Sequence, residues 1–163
     1  IQASLTGHLV LSTIHANSAM EVFQRLSGMG IEPYAVSEAL SLAVSQRLMR
    51  RLHDCKVVAP PTDAEAAFLK RHGLEVPEML ASPAPGGCSG CRGTGYKGRI
   101  PVMEVLAPSQ QVRTLVATGA PMEEIHRAAA EGGWTSIIDD AFRHVKALSS
   151  PVREISRVLT GGS

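Results

Sequence analysis

The apolar and polar positions fall into a few distinct textures along the chain. Residues 8–15 (HLVLSTIH) are mostly apolar and alternate poorly, the pattern of a strand buried on both faces, as in a parallel α/β sheet. Asn17 and Ser18 then offer capping oxygens to a helix whose apolar stripe is Ala19, Val22 or Phe23, Leu26 and Met29, with Gly28 and Gly30 ending it. Pro33 suits the first turn of a second helix that carries Val36, Ala39, Leu40 and Ala43 on one face. The run SQRLMRRLH (45–53) fits a strand or a helix tail, and its period does not separate the two.

A different texture begins at residue 56. A short helix is predicted over 63–71, between two proline-rich loops. CSGCRGTGYKGR (88–99) is loop chemistry, and IPVMEVLA (100–107) reads as a strand. From Ser109 onward the chain is predicted helical. Ser109 caps one helix and Gly119 closes it, Pro121 opens a second that breaks at Gly132-Gly133, residues 135–148 are amphipathic, and Ser150-Pro151 starts the last. Three consecutive parts follow: 1–52 as the end of an α/β domain, 53–100 as a cysteine-bearing insert, and 101–163 as a small helical subdomain.

Composition narrows the function classes. The chain has 163 residues, 44% hydrophobic and 19% charged, and only 4% aromatic, so its core must be built from Leu, Val, Ile, Ala and Met. A net charge of +1 gives no whole-chain argument for nucleic acid or membrane binding. Charge is nevertheless uneven: Arg47, Arg50, Arg51 and Lys56 surround one cysteine, Arg92, Lys97 and Arg99 follow the other two, and residues 122–140 are acidic. No apolar run approaches the roughly 18 residues that span a bilayer, and no signal peptide opens the sequence. The first residue is Ile, which leads us to expect part of a longer protein.

Three cysteines, two of them in a C-x-x-C, suit a reducing compartment and a metal better than a disulfide framework. Cys88-Ser-Gly-Cys91 is a knuckle in which the glycine lets both thiolates face one tetrahedral ion. Cys55 is the obvious third ligand. For the fourth, His53 is preferred, with Asp54 and His72 as alternatives. A site that has decayed and folds without metal is the competing reading, and a redox role is disfavoured because no thioredoxin-like strand-to-helix turn surrounds the pair. The C-x-x-C-x-G-x-G spacing also fits a co-chaperone zinc repeat, but it occurs once here, where that class repeats it.

The histidines are less specific. Ligands of open α/β sheets sit beyond the carboxyl ends of the strands. A strand over 9–14 would place Thr13, His15 and Asn17 at that edge, where a neutral imidazole or hydroxyl can donate to a phosphate oxygen. His8 would lie at the other end, over about 20 Å away at roughly 3.3 Å per residue. The residues alone favour a hydrogen-bonded structural histidine for His8 and leave His15 open.

Taken together, TGHLVLSTIHANSA, RLSGMGIEPY, SQRLMRRLHDC and CSGCRGTGYKGRIPVMEVL resemble, in order and spacing, the carboxyl-terminal part of a secretion ATPase of the GspE/PilB group, the motors of type II secretion and type IV pilus assembly. The resemblance implies a RecA-like P-loop NTPase core with a zinc-knuckle insert and a helical carboxyl-terminal subdomain. It implies a homo-hexamer driven by ATP and Mg2+ on the cytoplasmic face of the inner membrane, peripheral to that membrane and in contact with an inner-membrane platform protein, with no nucleic acid partner. It makes His8 and His15 the two histidines of the family's His box and candidate catalytic residues: His15 would sense the terminal phosphate and His8 would orient the acidic loops. Thr13, Asn17 and Arg99 become candidate nucleotide-binding residues, and His53, Cys55, Cys88 and Cys91 the candidate zinc ligands. Arg47, Arg50, Arg51 and Arg99 otherwise read as solvated surface or intersubunit salt bridges, the functional alternative being an approach to the neighbouring subunit's nucleotide or to acidic lipid headgroups.

Two departures stand out. The family's first knuckle is a C-x-x-C, whereas LHDC supplies one cysteine and a histidine. No G-x-x-x-x-G-K-[ST] occurs in the chain, so no phosphate cradle is expected from these residues, and the chain alone is expected not to hydrolyse ATP. Two other classes compete: a zinc-ribbon nucleic-acid module, which lacks the interleaved aromatics of a stacking platform, and a pure interaction domain using the acidic helices of 121–148. The motifs present are shared by the secretion and pilus branches.

Overall fold

The computed structural model describes residues 1–160 as a mixed α/β chain. In chain order the elements are α1 (Gln2–Leu5), α2 (Glu21–Gly28), α3 (Pro33–Ala39), β1 (Ala43–Leu52), β2 (Val57–Ala59), α4 (Asp63–Arg71), β3 (Leu80–Ser82), a 3-10 turn (Ser89–Cys91), β4 (Tyr96–Leu106), α5 (Gln110–Ala117), α6 (Met122–Glu131), α7 (Ile137–Lys146) and α8 (Val152–Leu159). They form two units, each made of two chain segments: Ile1–Ser45 with Glu104–Ser136, and Gln46–Met103 with Ile137–Ser163. The strands form two two-stranded sheets, β1 beside β4 and β2 beside β3.

The first unit is mainly helical. Its core joins Met20 and Phe23 to Val36 of α3, Leu106, Val112 and Val116 of α5, and Ile125 and Ala129 of α6. Local chemistry sets the helix ends. Pro33 occupies the first turn of α3, and Ser109 Oγ accepts from the Val112 N–H at 3.3 Å to cap α5. The chain leaves α5 through Gly119 at φ 67, a left-handed turn that a glycine takes without strain.

Glu104 is buried in this core, with its Oε1 receiving the Met20 N–H at 3.4 Å. Burial pushes its carboxyl up, against the backbone amides of Met20 and Ala19. A carboxyl raised in the folded state favours folding below its unfolded pKa of about 4.3, and that contribution is lost as pH rises. Glu104→Gln is therefore expected to leave stability unchanged or raise it by about 1 kcal/mol at pH 7.5 and to have little effect at pH 4. Chemical denaturation at the two pH values checks this.

In the second unit the core gathers Met49 of β1, Leu69 of α4, Leu80, Val102 of β4, Phe142 and Val145 of α7, and Ile155 and Val158 of α8. Residues 45–53, ambiguous by period, are a strand as far as Leu52, with Met49 and Leu52 buried between exposed neighbours. Thr62 and Glu65 form a reciprocal capping box at the start of α4, where the sequence predicts a helix over the same 63–71. The proline-rich flanks are not plain loops: Val57, Val58 and Ala59 pair antiparallel with Ser82, Ala81 and Leu80.

One expectation is corrected. Residues 8–15 are not a buried strand: 9–14 lie outside every described strand and helix, with Leu9 91% and Leu11 88% exposed. A strand buried on both faces needs a ladder partner and cover on each side, and no described strand pairs with this segment. Apolarity alone marked it as strand-like, and apolarity does not supply the neighbours.

Candidate metal centre

Two turns of the second unit build a four-donor cluster. At the end of β1 the His53 N–H donates to the Gly95 carbonyl at 2.9 Å, and the Lys56 N–H returns to the His53 carbonyl at 3.0 Å. Lys56 Nζ reaches the Leu148 carbonyl at 2.7 Å, which ties the turn to the loop after α7. His53 and Cys55 are thereby presented beside the second turn, the knuckle. There the Cys91 and Gly93 N–H groups both donate to the Cys88 carbonyl, at 3.2 and 3.0 Å, and Arg92 takes a left-handed φ of 53.

The ligand atoms of His53, Cys55, Cys88 and Cys91 all lie within 4.8 Å of one another. Cys55 Sγ is 3.9 Å from Cys91 Sγ, and Cys88 Sγ is 3.5 Å from His53 Nδ1. Two sulfurs at about 2.3 Å from a tetrahedral zinc stand about 3.8 Å apart, and a sulfur and an imidazole nitrogen about 3.5 Å apart. The two separations are those of ligand edges around one ion. His53 turns Nδ1 to the cluster, where it also accepts the Cys55 N–H at 3.3 Å. Nδ1 has one in-plane lone pair, so a bound metal would take the place of this hydrogen bond. Of the alternative fourth ligands, Asp54 and His72 lie outside the cluster, and the His72 ring packs on Phe68 with centroids 4.5 Å apart.

Electrostatics also favour a cation here. The Cys91 thiol is drawn down to about 6, chiefly by the N–H of Cys88 and then that of Gly95, against the cost of burial. Burial and the neighbouring thiols of Cys88 and Cys91 push the Cys55 thiol up to about 11. Three crowded sulfurs thus hold at least one proton that a divalent ion would displace. Zinc affinity is therefore expected to rise at least about tenfold per pH unit between about pH 7 and 9. Competition titrations against a chromophoric chelator give that slope.

Two glycines that sequence reasoning passed over shape the knuckle. A Cβ on Gly87, whose φ is 58, would sit 2.6 Å from the Gly93 carbonyl carbon and 2.8 Å from Cys91 Sγ. Gly95, at φ 76, would place a Cβ 2.5 Å from Pro83 Cβ. Glycine density after a C-x-x-C was the available signal. Gly87→Ala is expected to weaken zinc binding at least tenfold in the same titration, since both the turn and a ligand must shift.

The nucleotide candidates are placed differently. His8 is exposed, and its Nδ1 lies 3.2 Å from both Thr6 Oγ1 and the Ala3 carbonyl. Thr13 and His15 are exposed, and the His15 carbonyl accepts from Arg25 Nε at 2.7 Å. The Asn17 N–H donates to the Glu21 carboxylate at 2.8 Å, and Ser18 Oγ accepts the Glu21 N–H at 3.2 Å. None of the described hydrogen bonds joins His8 to His15. Arg99 is exposed on β4.

Arg50 is held in an ion pair with a buried carboxylate. Its Nε and Nη2 hold Glu154 Oε1 at 2.9 and 2.6 Å, and its own N–H holds Oε2 at 2.9 Å. Its guanidinium also lies 4.3 Å from the centre of the Tyr96 ring.

Comparison with known proteins places this mixed α/β chain, with its cysteine–histidine cluster and histidine-flanked apolar segment, in a family. Residues 1–157 match the family described as Type II/IV secretion system protein. The chain is 39% identical over 142 residues to the type IV pilus assembly ATPase PilB of Thermus thermophilus, covering 85% of this chain and 16% of that protein. It is 43% identical over 119 residues to the type II secretion system protein E of Klebsiella pneumoniae, covering 73% of this chain and 23% of that protein. Against the type II secretion system protein E of Pseudomonas aeruginosa the figures are 37% over 158 residues, 97% and 31%. The chain belongs to the Type II/IV secretion system protein family, and it spans under a third of the length of these three relatives. Among the described residues no helix is long and apolar enough to cross a membrane.

Proposed function

We propose that the chain is the carboxyl-terminal part of a homo-hexameric ATPase that uses Mg-ATP to power type II protein secretion or type IV pilus assembly. It acts at the cytoplasmic face of the inner membrane, against an inner-membrane platform protein. The observation that carries this reading is the family match over residues 1–157, a span that includes the histidine segment, the cysteine cluster and the helices after β4. In this reading His15, its carbonyl held by Arg25, senses the terminal phosphate, and His8 orients the acidic loops of the core. Thr13 and Asn17 line the same nucleotide edge, and Arg99 reaches a nucleotide of the neighbouring subunit.

The His53–Cys55–Cys88–Cys91 cluster holds one zinc ion. Its donor set is that of a closed structural site, and the ion supplies a cross-link between the turn after β1 and the knuckle before β4. The chemistry of ATP turnover is assigned to the histidine segment and to the rest of the motor.

The purified chain alone is expected to show no ATP turnover above a contaminant control. In the longer ATPase, His15→Ala is expected to lower kcat about 100-fold while leaving ATP binding within about threefold. Turnover by the chain alone, or an unchanged kcat in the His15 variant, contradicts the assignment.

A further inference from the structure

We propose that Cys55 is a modification site: the zinc ligand at which a hydroperoxide opens the metal centre, with Cys91 as the thiol that resolves it. The inference rests on the zinc reading above. The three sulfurs of the cluster are not equivalent. Cys91 Sγ is buried and accepts two backbone N–H groups, from Cys88 at 3.1 Å and from Gly95 at 3.2 Å. Such donors withdraw electron density from a metal-bound thiolate and blunt it as a nucleophile. Cys55 Sγ accepts no backbone N–H among the described hydrogen bonds, and its side chain is only partly buried. Cys88 also lacks backbone donors, but it lies inside the hydrogen-bonded knuckle, where the Cys91 and Gly93 N–H groups bind its carbonyl. Cys55 lies on the separate turn after β1. Its sulfur is 3.9 Å from Cys91 Sγ, so a bond of about 2.05 Å needs an approach of about 2 Å, within the reach of a turn.

The chemistry closes without a further reagent. The Cys55 thiolate attacks one oxygen of hydrogen peroxide: an S–O bond forms, the O–O bond breaks, and hydroxide leaves, giving a sulfenic acid. The Cys91 thiolate then attacks the Cys55 sulfur: the S–S bond forms, the S–O bond breaks, and a second hydroxide leaves. The two thiolates together lose two electrons, and the peroxide is reduced to two hydroxides that take protons from solvent. Zinc, left with Cys88 and His53, dissociates. The result is a disulfide linking the turn after β1 to the knuckle, in place of the zinc cross-link.

Trypsin separates the partners, because Cys55 falls in peptide 52–56 whereas Cys88 and Cys91 share peptide 72–92. The test begins with zinc analysis of the purified chain. The zinc-loaded protein is then treated with limiting hydrogen peroxide in the presence of a chromophoric chelator, free thiols are alkylated, and the peptides are mapped by tandem mass spectrometry. The expected result is a Cys55–Cys91 bond joining 52–56 to 72–92, with one zinc released per cross-link. In a parallel arm, limiting N-ethylmaleimide labels Cys55 at least about tenfold faster than Cys91, the effect of two lost hydrogen bonds to a charged sulfur. This labelling uses the native sequence and does not depend on a variant that folds. A bond confined within 72–92, or first labelling at Cys91, overturns the inference while leaving the zinc reading intact. A purified chain without zinc overturns both.

Discussion

Stripping zinc from the purified chain is expected to lower its thermal midpoint by about 10 °C, and adding zinc back to restore it. A ligand held at about 1,000 times its dissociation constant stabilises the folded state by about 4 kcal/mol, and each kcal/mol moves the midpoint of a chain of this size by about 2–4 °C. The knuckle is short of apolar support of its own: of Cys55, Cys88 and Cys91 only Cys91 is buried. A bound ion would therefore tie the turn after β1 to the knuckle beyond the single His53–Gly95 hydrogen bond. Cys88→Ser should abolish both the zinc content and the midpoint shift, because three donors remain where a closed site uses four. A variant that keeps stoichiometric zinc and the full midpoint would exclude Cys88 as a ligand.

Glu154→Ala is expected to destabilise the chain by about 3 kcal/mol, or about 9 °C in midpoint. Glu154 is fully buried on α8, and both its oxygens are occupied by Arg50 and Arg157. Burial alone would push its carboxyl up. The Arg50 side chain and N–H and the Arg157 guanidinium outweigh that and hold it below the usual carboxylate value. Arg50 is 45% exposed, so water takes up part of the loss and the estimate sits at the lower end for a buried pair. The depressed pKa fixes the pH dependence. The stabilisation is present above the unfolded value of about 4.3 and is lost as pH falls through the lower folded value. The gap between native and Glu154→Ala midpoints should therefore be constant from pH 6 to 8 and narrow below about pH 4. A gap that stays unchanged down to pH 3 would remove the ion pair from the account.

The helices were legible because their signals are local. Thr62 with Glu65, Ser109, Pro33 and Gly119 each act within one turn, and α4 and α5 appear where the sequence places them; α3 starts at Pro33 but ends at Ala39, and Ala43, expected on its face, begins β1. The metal cluster was legible for a related reason: the chemistry of three cysteines and a nearby histidine is more selective than their positions. What could not be read depends on partners distant in sequence. The β2–β3 pair joins residues more than twenty positions apart through a proline-rich stretch. Arg50 looked like a surface cation because its partner, Glu154, lies 104 residues away. The 8–15 segment failed in the opposite direction: its apolar run marks a strand only where neighbouring strands exist. Nothing local marks Glu104 and Glu154 as inward-facing, yet both are buried.

X-ray absorption at the zinc edge on the purified chain tests the metal centre most directly. One zinc per chain with three sulfurs at about 2.3 Å and one nitrogen at about 2.0 Å is the predicted first shell. Absence of zinc after purification without chelators, or a shell of oxygen and nitrogen alone, would contradict it.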